Sequence, residues 1–292
     1  LNSITELSEL SAHVLANYFY CLVCIAKRTF IWSISLFIRA VFAVSLLCKV
    51  ALALLRRFRS PLSYAAKMAS TLSEIQSKLA RMPLEKKRTL YKCGERFVPL
   101  EQVQTVLDSA DAGLSKASQE MLKKLSIWSG DITRLEIDAI VNAANHTLLG
   151  GGGGVDGAIH RAAGPSLKME TATLNGCETG DAKITLGYFL PAKHVIHTVG
   201  PVGEKPDLLR SCYWRCLEIC KENSLRSVAF PCISTGVYHY PNRKACEVAL
   251  QTVKEWLQTG DNLHALDRII FCVFLEEDRL LYEELIPKLF GA

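Results

Sequence analysis

Short apolar runs alternate with longer amphipathic segments along the second half of the chain. From Lys124 onward, six runs rich in β-branched residues have the length of strands, and apolar residues at helical spacing separate the later ones. The predicted strands cover residues 126–128, 139–141, 183–185, 194–199, 227–230 and 268–274, and the predicted helices cover residues 208–222, 243–257 and 277–289. This alternation predicts a three-layer α/β/α fold with a mixed, largely parallel central sheet and helices on both faces.

The chain before this alternation divides into two parts. Residues 71–122 are polar and helix-prone, with interruptions at Pro83, Gly94 and Pro99, and they carry no catalytic pattern. We therefore expect them to pack as helices around the main domain. The predicted organisation is a basic apolar segment over residues 1–67, a helical extension over 68–122 and the main domain over 123–292.

Positive charge is concentrated at the beginning of the chain. Residues 1–67 contain eight Lys or Arg residues and only two acids, Glu6 and Glu9, which gives this segment a net charge of +6. Because the whole chain carries +5, residues 68–292 carry −1. A nucleic-acid groove in the main domain is therefore not expected.

Residues 14–59 contain a basic amphipathic pattern. Residues 29–48 are apolar over a length that could cross a bilayer, but Arg39 at their centre would cost about 2.5–3.5 kcal/mol there. On a helix, the basic side chains would fall within an arc of about 160°. Three interpretations are open: a helix that lies on an anionic membrane surface or targets an organelle, an over-extended translation upstream of Met68, and a spanning helix. The first predicts a mitochondrial or membrane-associated protein, and the second predicts a protein of cytoplasm and nucleus.

The eleven cysteines are odd in number and lack the spacing of a disulfide framework, which indicates a reducing compartment. Cys21 and Cys24 form a Cys-x-x-Cys pair, but neither a second pair nor nearby histidines accompany them, so a zinc site is not expected. Cys212, Cys216 and Cys220 recur at helical spacing and are predicted to pack as small apolar side chains.

The most informative run surrounds five consecutive glycines, residues 150–154. An apolar strand precedes the carboxamides of Asn142 and Asn145, and the glycines lead directly into a helical turn that carries Asp156. Glycine N–H groups can close around an anion, and a helix N-terminus adds a partial positive charge. A flexible linker would have neither the strand before it nor the amphipathic turn after it. The run therefore predicts a phosphate site beside a reactive centre.

Two common nucleotide-binding motifs do not account for this run. Gly152-x-Gly154-x-x-Gly157 fits the dinucleotide fingerprint, but the following helical segment is short and no strand-terminal acid appears about twenty residues later. The Gly-Lys-Ser/Thr sequence of a P-loop is absent from the chain.

A series of ordered motifs follows the first strand of the main domain. The motifs are Gly130-Asp-Ile-Thr, Asn142-Ala-Ala-Asn, the glycine run with Val155-Asp-Gly, Ile159-His-Arg-Ala-Ala-Gly-Pro, Val195-Ile-His-Thr-Val-Gly-Pro and Phe230-Pro-Cys-Ile-Ser-Thr-Gly-Val-Tyr. Together they resemble the macrodomain of the MacroD-type ADP-ribose hydrolases. The likeness covers residues 123–290, and a weaker likeness begins at about residue 80.

The resemblance implies an adenine site built from the ends of the first and last strands of the domain. Asp131 would accept a hydrogen bond from the adenine amino group, Ile132 would follow it in the pocket wall, and Phe274 would stack on the base. Two alternatives are open for these positions. Asp131 could cap a helix, and Phe274 could be packed in the core, as a strand-end phenylalanine usually is.

The resemblance also implies that two loops hold the diphosphate. Backbone N–H and hydroxyl groups would supply the donors, without a lysine. The family pattern has four glycines before Val-Asp-Gly and this chain has five, so we expect a shifted register and a looser first loop. The implied ligand-binding residues are Asn142, Gly151, Gly152, Gly153, Gly154 and Val155 on one side and Ser234, Thr235, Gly236, Val237 and Tyr238 on the other.

Asn145, Asp156 and His160 are the implied catalytic residues. Asn145 would orient the distal ribose, and Asp156 would position or deprotonate the attacking water near the α-phosphate. His160 follows Asp156 by four residues on the same helical face, where it could pair with the carboxylate or pack behind it. His197 lies in an apolar strand and is expected to be a core histidine.

The implied activity is that of a metal-independent hydrolase that removes mono-ADP-ribose from acidic side chains of modified proteins and also deacetylates O-acetyl-ADP-ribose. The alternative is a module that binds ADP-ribose without turning it over. Such a reader needs Asp131 and the phosphate loops but neither Asn145 nor Asp156, and the presence of both favours the enzyme. No cofactor, metal or direct nucleic-acid partner is expected. The expected partners of a monomer are ADP-ribose and mono-ADP-ribosylated proteins, with a membrane surface as a candidate partner of residues 14–59.

Overall fold

A six-stranded sheet forms the centre of the fold in the computed structural model, which describes residues 67–109 and 114–291. The basic pattern of residues 14–59 and the Cys21–Cys24 pair lie outside the described residues. The strands are β1 Val98–Pro99, β2 Leu125–Ser129, β3 Leu135–Glu136, β4 Ala139–Ala143, β5 Ala182–Leu186, β6 His194–Thr198, β7 Ser227–Phe230 and β8 Arg268–Val273. Their order in the central sheet is β2-β8-β7-β4-β6-β5, while β1 pairs separately with β3.

The central sheet is mixed, with a single antiparallel pair at one edge of the described part. Strands β2, β8, β7, β4 and β6 pair in parallel, and β5 runs antiparallel to β6. Residues 187–193 between β5 and β6 are too few for the helical crossover that parallel neighbours need, so this connection reverses the chain direction. The predicted largely parallel sheet and its six predicted strands are confirmed.

Helices cover both faces of the sheet because neighbouring strand residues point to opposite sides. In β4, Ile140 joins the apolar cluster that contains Ile159 and Leu167, whereas Val141 joins the cluster that contains Leu217 and Trp256. The three long predicted helices are confirmed, and the three-layer architecture is confirmed with them. The helices are α1 Leu84–Arg88, α2 Lys116–Leu122, α3 Gly154–Ala163, α4 Pro165–Thr173, α5 Pro206–Glu222, α6 Asn242–Gln258 and α7 Glu276–Phe290.

The part of the extension that the structure describes is less helical than the sequence pattern predicts. Residues 67–80 are helical, but only α1 and α2 follow as α-helices before the main domain. Between them the chain makes tight turns, and Pro99 ends the short strand that pairs with β3. An ion pair of 2.7 Å between Arg88 and Glu136, together with a 2.9 Å hydrogen bond from the Tyr91 hydroxyl to Glu136, attaches this segment beside β3.

Cys212, Cys216 and Cys220 are buried along one face of α5, as the helical spacing predicts. Burial raises the pKa of each of the three thiols. Among the described residues, no three or more His, Cys, Asp or Glu side chains are grouped so that they could hold a metal ion. In that same part of the chain, no helix combines the length and the apolarity required to cross a membrane.

Candidate active site

The predicted site residues gather along one edge of the sheet. They lie at or beyond the carboxyl ends of β2, β8, β7 and β4, which are adjacent and parallel. Ligands of open α/β sheets bind at this edge. In the order of the strands, Asp131 comes first, then Phe274, then residues 234–238, and finally Asn145 with the glycine loop. The edge thus presents a carboxylate and an aromatic ring at one end and the catalytic candidates at the other.

Asp131 caps a short helix while part of its carboxylate stays free. Its Oδ1 accepts hydrogen bonds from the Thr133 backbone N–H at 2.9 Å and from the Thr133 hydroxyl at 2.7 Å. These bonds cap the 3-10 helix Ile132–Arg134. The alternative that Asp131 caps a helix is therefore confirmed for Oδ1. Oδ2 takes no part in these two bonds, and the side chain is exposed. One residue can therefore cap the helix and still present an acceptor to a ligand.

Phe274 lies at the same corner of the sheet and is exposed. Ser129 in β2 is paired with Val273 in β8, and the Gly130 N–H donates to the Val273 carbonyl at 3.3 Å, so the residues that follow each strand are neighbours. Phe274 is 84% exposed, which contradicts the packed-core alternative for this residue. The Ile132 side chain, by contrast, packs in the core below this corner. An exposed ring beside an exposed carboxylate suits a flat base with an amino group.

The loop of residues 234–238 is held by its carbonyl groups. The carbonyls of Ser234, Gly236 and Tyr238 accept from Tyr240 at 3.0 Å, His239 at 2.9 Å and Gly203 at 2.8 Å. The loop's amide hydrogens take no part in these three bonds. The Ser234 hydroxyl is buried and lacks a hydrogen-bond partner among the described residues. These contacts leave the loop's amide hydrogens and the Ser234 hydroxyl as the groups that can donate to an anion.

Loop 234–238 is closely packed against Gly200, the second residue after β6. A Cβ atom added to Gly200 would lie 2.2 Å from the Ser234 Oγ, so only glycine allows this approach. Ser234 has a φ of 68°, which L-residues rarely adopt. Thr235 is half-buried, and its hydroxyl donates to the Cys232 carbonyl at 3.1 Å. Val237 is 85% exposed and, like Phe274, projects from the rim of the site.

The glycine loop lies directly against the catalytic candidates. A Cβ atom on Gly150 would lie 2.7 Å from the His160 ring, and one on Gly152 would lie 3.2 Å from Asp156 Oδ2. A Cβ atom on Gly157 would lie 2.4 Å from the Gly152 carbonyl oxygen, which requires glycine there. Gly151 to Gly154 are exposed, and Val155 is half-buried against the core. The glycine loop thus contacts the Asp156 carboxylate on one side and is exposed to solvent on the other.

Asp156 is a buried carboxylate with one oxygen held and one free. It lies in the first turn of α3 and is 5% exposed. Its Oδ1 accepts from Asn142 Nδ2 at 2.8 Å and lies 3.7 Å from His160 Nε2. Its Oδ2 is buried and lacks a partner within the described structure. A buried acceptor without a partner is costly, so Oδ2 is the atom at which a ligand or a water molecule is expected.

His160 and His197 lie close to the Asp156–Asn142 pair, and burial disfavours the protonated form of both imidazoles. Burial lowers the pKa of His160, against the opposing effect of the Asp156 charge. Burial lowers the pKa of His197 to about 3, with a smaller contribution from His160, whose ring centroid is 6.1 Å away. The fully buried position of His197 confirms the core histidine that the sequence predicts.

Asn145 forms a local turn at the exit of β4. Its Oδ1 accepts from the Thr147 N–H at 3.0 Å and from the Thr147 hydroxyl at 2.7 Å, and its Nδ2 donates to the Gly150 carbonyl at 3.5 Å. The Nδ2 bond is long, so this group remains the part of Asn145 that can turn to a ligand.

Asn142 and His197 have roles that their sequence positions do not reveal. Asn142, expected among the ligand-binding residues, is fully buried and contacts Asp156 and His197 instead. His197 in turn contacts the Thr185 hydroxyl at 2.9 Å. The pairing of β4 with β6 places Asn142 directly opposite His197, and strand register is not readable from the sequence. Polar residues in otherwise apolar strands are the one signal that could have found this group.

Known proteins resemble this chain over most of the described residues. The family model described as Macro domain matches residues 141–249. ADP-ribose glycohydrolase MACROD1 of Rattus norvegicus is 47% identical over 249 residues, which cover 79% of this chain and 95% of that protein. ADP-ribose glycohydrolase MACROD2 of Homo sapiens is 48% identical over 235 residues, which cover 75% of this chain but only 54% of that protein. The crystal structure of the Trypanosoma brucei macrodomain in complex with ADP-ribose is similar, with 41% identity, a TM-score of 0.61 and coverage of 74% of this chain and 95% of that one.

Proposed function

This chain belongs to the macrodomain family, and we propose that it is a hydrolase that removes mono-ADP-ribose from acidic side chains of modified proteins. The observation that carries the proposal is the buried Asp156 carboxylate, with Oδ1 held by Asn142 and Oδ2 without a partner among the described residues. It lies in the first turn of the helix that the glycine loop opens. A module that only binds ADP-ribose has no need of a buried carboxylate at this position. The similar rat and human proteins bear the name of ADP-ribose glycohydrolases, which supports the enzyme.

The layout of the sheet edge supports ADP-ribose as the ligand. Adenine would lie between the exposed Phe274 ring and the free oxygen of Asp131. The diphosphate would lie between loop 234–238 and the glycine loop, where backbone N–H groups and the Ser234 hydroxyl are available. The distal ribose would then reach Asn145 and Asp156. This order along the edge follows the order of the groups in ADP-ribose itself.

The chemistry proposed for Asp156 is that of a general base. A water molecule that donates to Oδ2 would be held next to the glycine loop and would transfer its proton to this carboxylate as it attacks the ester. The water oxygen would form a bond to the ester carbonyl carbon, and the bond from that carbon to the ribose oxygen would break. The proton held by Asp156 would then pass to the departing ribose oxygen, so that ADP-ribose and a free acidic side chain are released and the carboxylate is regenerated. His160, whose pKa burial lowers and whose Nε2 lies 3.7 Å from Oδ1, would limit the motion of the carboxylate. The same attack on an acetyl ester would deacetylate O-acetyl-ADP-ribose.

The proposal is tested by measuring binding and turnover in the same preparations. ADP-ribose affinity is determined by calorimetry, and single-turnover release of label is followed from an automodified transferase that carries glutamate-linked ADP-ribose. Asp156→Asn is nearly isosteric and removes the charge. Because a carboxylate repels a bound diphosphate, the affinity of this variant should hold or improve. Its rate of release should fall by roughly 10²–10⁴-fold, the usual contribution of a general base.

Asp278→Asn is the matched control. Asp278 is also 5% exposed and also accepts from an asparagine, Asn242 Nδ2, at 2.8 Å. This control variant should release label at the wild-type rate. If the wild-type protein binds ADP-ribose but releases no label, the hydrolase proposal is wrong. The alternative, a module that binds ADP-ribose without turning it over, would then be supported. If Asp156→Asn releases label as fast as the wild type, the protein is still a hydrolase, but Asp156 is not its general base.

A further inference from the structure

Three polar side chains form a buried line beneath the Asp156 carboxylate, which we propose as the general base. Asp156 Oδ1 contacts Asn142 Nδ2 at 2.8 Å, Asn142 Nδ2 contacts His197 Nδ1 at 3.1 Å, and His197 Nε2 contacts Thr185 Oγ1 at 2.9 Å. Asn142, His197 and Thr185 are 0%, 0% and 3% exposed. Most buried polar groups are hydrogen-bonded, and here each contact limits the orientation of the next side chain. Asn142 Oδ1 is buried without a partner among the described residues, so the amide is held through its Nδ2.

The direction of each hydrogen bond follows from the charge of Asp156. A carboxylate only accepts, so the Asn142 amide must turn its Nδ2 towards it. The second hydrogen of the same nitrogen then points to His197 Nδ1, which must be an acceptor. A neutral imidazole whose Nδ1 accepts carries its proton on Nε2, and this proton is donated to Thr185 Oγ1. The Thr185 hydroxyl can pass its own hydrogen to the carbonyl of Leu186 at 3.3 Å or of Val195 at 3.4 Å.

The strand register holds this line in place. Asn142 is paired with His197 across β4 and β6, so both side chains leave the same face of the sheet. Thr185 is paired with Val195, two residues before His197, and therefore lies on that face as well. This is the face covered by α3, which carries Asp156. Three adjacent strands thus support one carboxylate on the helix above them.

We infer that His197 is a positioning residue for the proposed reaction. By accepting one hydrogen of Asn142, it stops the carboxamide from rotating and aims the other hydrogen at Asp156 Oδ1. Oδ1 is then held by Asn142, and Oδ2, which has no partner among the described residues, is the oxygen that faces away from this bond and is offered to water. His197 itself does not contact the substrate, and its effect reaches the reaction through Asn142 and Asp156. The inference rests on the proposed hydrolase function.

Two substitutions at residue 197 separate positioning from packing. His197→Asn retains an acceptor where Nδ1 now lies but leaves a gap next to Thr185. His197→Gln places its amide where Nε2 now lies, fills more of the volume, and removes the acceptor that faces Asn142. The rate of single-turnover label release by His197→Gln should fall by roughly 10–100-fold, as for other residues that orient a reacting group through a second one. His197→Asn should stay within about threefold of the wild-type rate, although it should melt at a lower temperature because of the gap.

The affinity for ADP-ribose should remain within about threefold of the wild type in both variants, since His197 acts on Asp156 and not on the ligand. His194→Asn and His194→Gln are matched controls in the same strand, three residues earlier and therefore on the opposite face, and both should react at the wild-type rate. A purely structural role predicts the opposite order at residue 197, with the Gln variant faster than the Asn variant. That order would overturn the inference.

A spectroscopic measurement tests the same inference without activity. Long-range proton–nitrogen NMR spectra of the wild-type protein should show His197 with its proton on Nε2 and an unprotonated Nδ1. A proton on Nδ1 would overturn the proposed line of hydrogen bonds, whatever the rates of the variants. If the wild type binds ADP-ribose and releases no label, the hydrolase proposal fails, and the tautomer of His197 still decides whether this residue orients Asn142.

Discussion

The Asn142 side chain donates a 2.8 Å hydrogen bond to Asp156, fourteen residues further along the chain. Asn142 is near the end of a central strand, and Asp156 is in the first turn of the helix that follows the glycine loop. The bond therefore spans the base of that loop. It connects the rigid sheet to the carboxylate that we propose as the general base, so the position of the base does not depend on the exposed glycines.

The first prediction concerns this pair. If Asn142 acts only through Asp156, Asn142→Ala should slow single-turnover label release by roughly 10–100-fold. The double variant Asn142→Ala with Asp156→Asn should then be no slower than Asp156→Asn alone, because residues that act as a unit are not additive. Rates of the four proteins in one assay complete the cycle. Losses that multiply in the double variant would show that Asn142 has a separate role.

The second prediction concerns the two functions of the Asp131 carboxylate. Asp131→Ala removes both the helix cap and the adenine acceptor, so it should lower the melting temperature and weaken ADP-ribose binding by about 1.5–3 kcal/mol. Asp131→Asn keeps an oxygen for Thr133 but places an amide nitrogen where the free oxygen now lies. This variant should retain the melting temperature and still lose the affinity. Calorimetry and thermal melts separate the two effects, and an Asn variant that binds as tightly as the wild type would contradict the adenine assignment.

The third prediction concerns the exposed aromatic ring at residue 274. Phe274→Ala should leave the melting temperature unchanged, because the side chain is 84% exposed. It should weaken ADP-ribose binding by about 1–3 kcal/mol, the usual contribution of an aromatic ring stacked on a base. Phe274→Trp should restore the affinity. Leu275→Ala is the control, since Leu275 is the next residue and is 54% exposed. Equal losses at the two positions would mean that Phe274 has no specific contact with the base.

The strands and long helices of the main domain are predictable because each is a local pattern. Ile140 and Val141 face different apolar clusters on the two sides of one strand. The continuous apolar run to which they belong already indicates a strand that is covered on both faces. The extension before the main domain is not predictable in the same way. Its polar, helix-prone composition predicts helix throughout, but Pro99 and the contacts of Glu136 divert part of it into a short strand and turns.

The residues of the candidate site also divide into those that a local pattern predicts and those that it does not. Asp131, the glycines and Asp156 follow strand ends and stand out as motifs, so their placement at one sheet edge is predictable from the fold class. The contact between Asn142 and His197 depends on which strands are neighbours and on their register. Neither is a local property of the sequence. For that reason a histidine expected in the core proves also to be a partner of the residue that holds Asp156.

The last prediction concerns the pH dependence of stability. Burial lowers the pKa of His197 from its ordinary value of 6.5 to about 3 in the folded protein. The unfolded chain therefore binds a proton at this residue at a higher pH than the folded protein does, and stability must fall as the pH decreases below 6.5. The slope approaches about 1.4 kcal/mol per pH unit, so the free energy of unfolding should decrease by about 2 kcal/mol between pH 7.5 and pH 5 on account of this residue alone.

His160, whose pKa burial also lowers, acts in the same direction, so the wild type must be compared with a variant that lacks only His197. Urea denaturation of the wild type and of His197→Gln at pH 7.5, 6.5, 5.5 and 5 gives the two dependences. The variant should be less stable at pH 7.5 because it loses buried contacts, and the difference between the two proteins should narrow as the pH falls. If the free energies of unfolding of the two proteins change in parallel over this range, the pKa of His197 is not lowered by burial. His197 would then be protonated in the folded protein at pH 5, and its Nδ1 could not accept from Asn142.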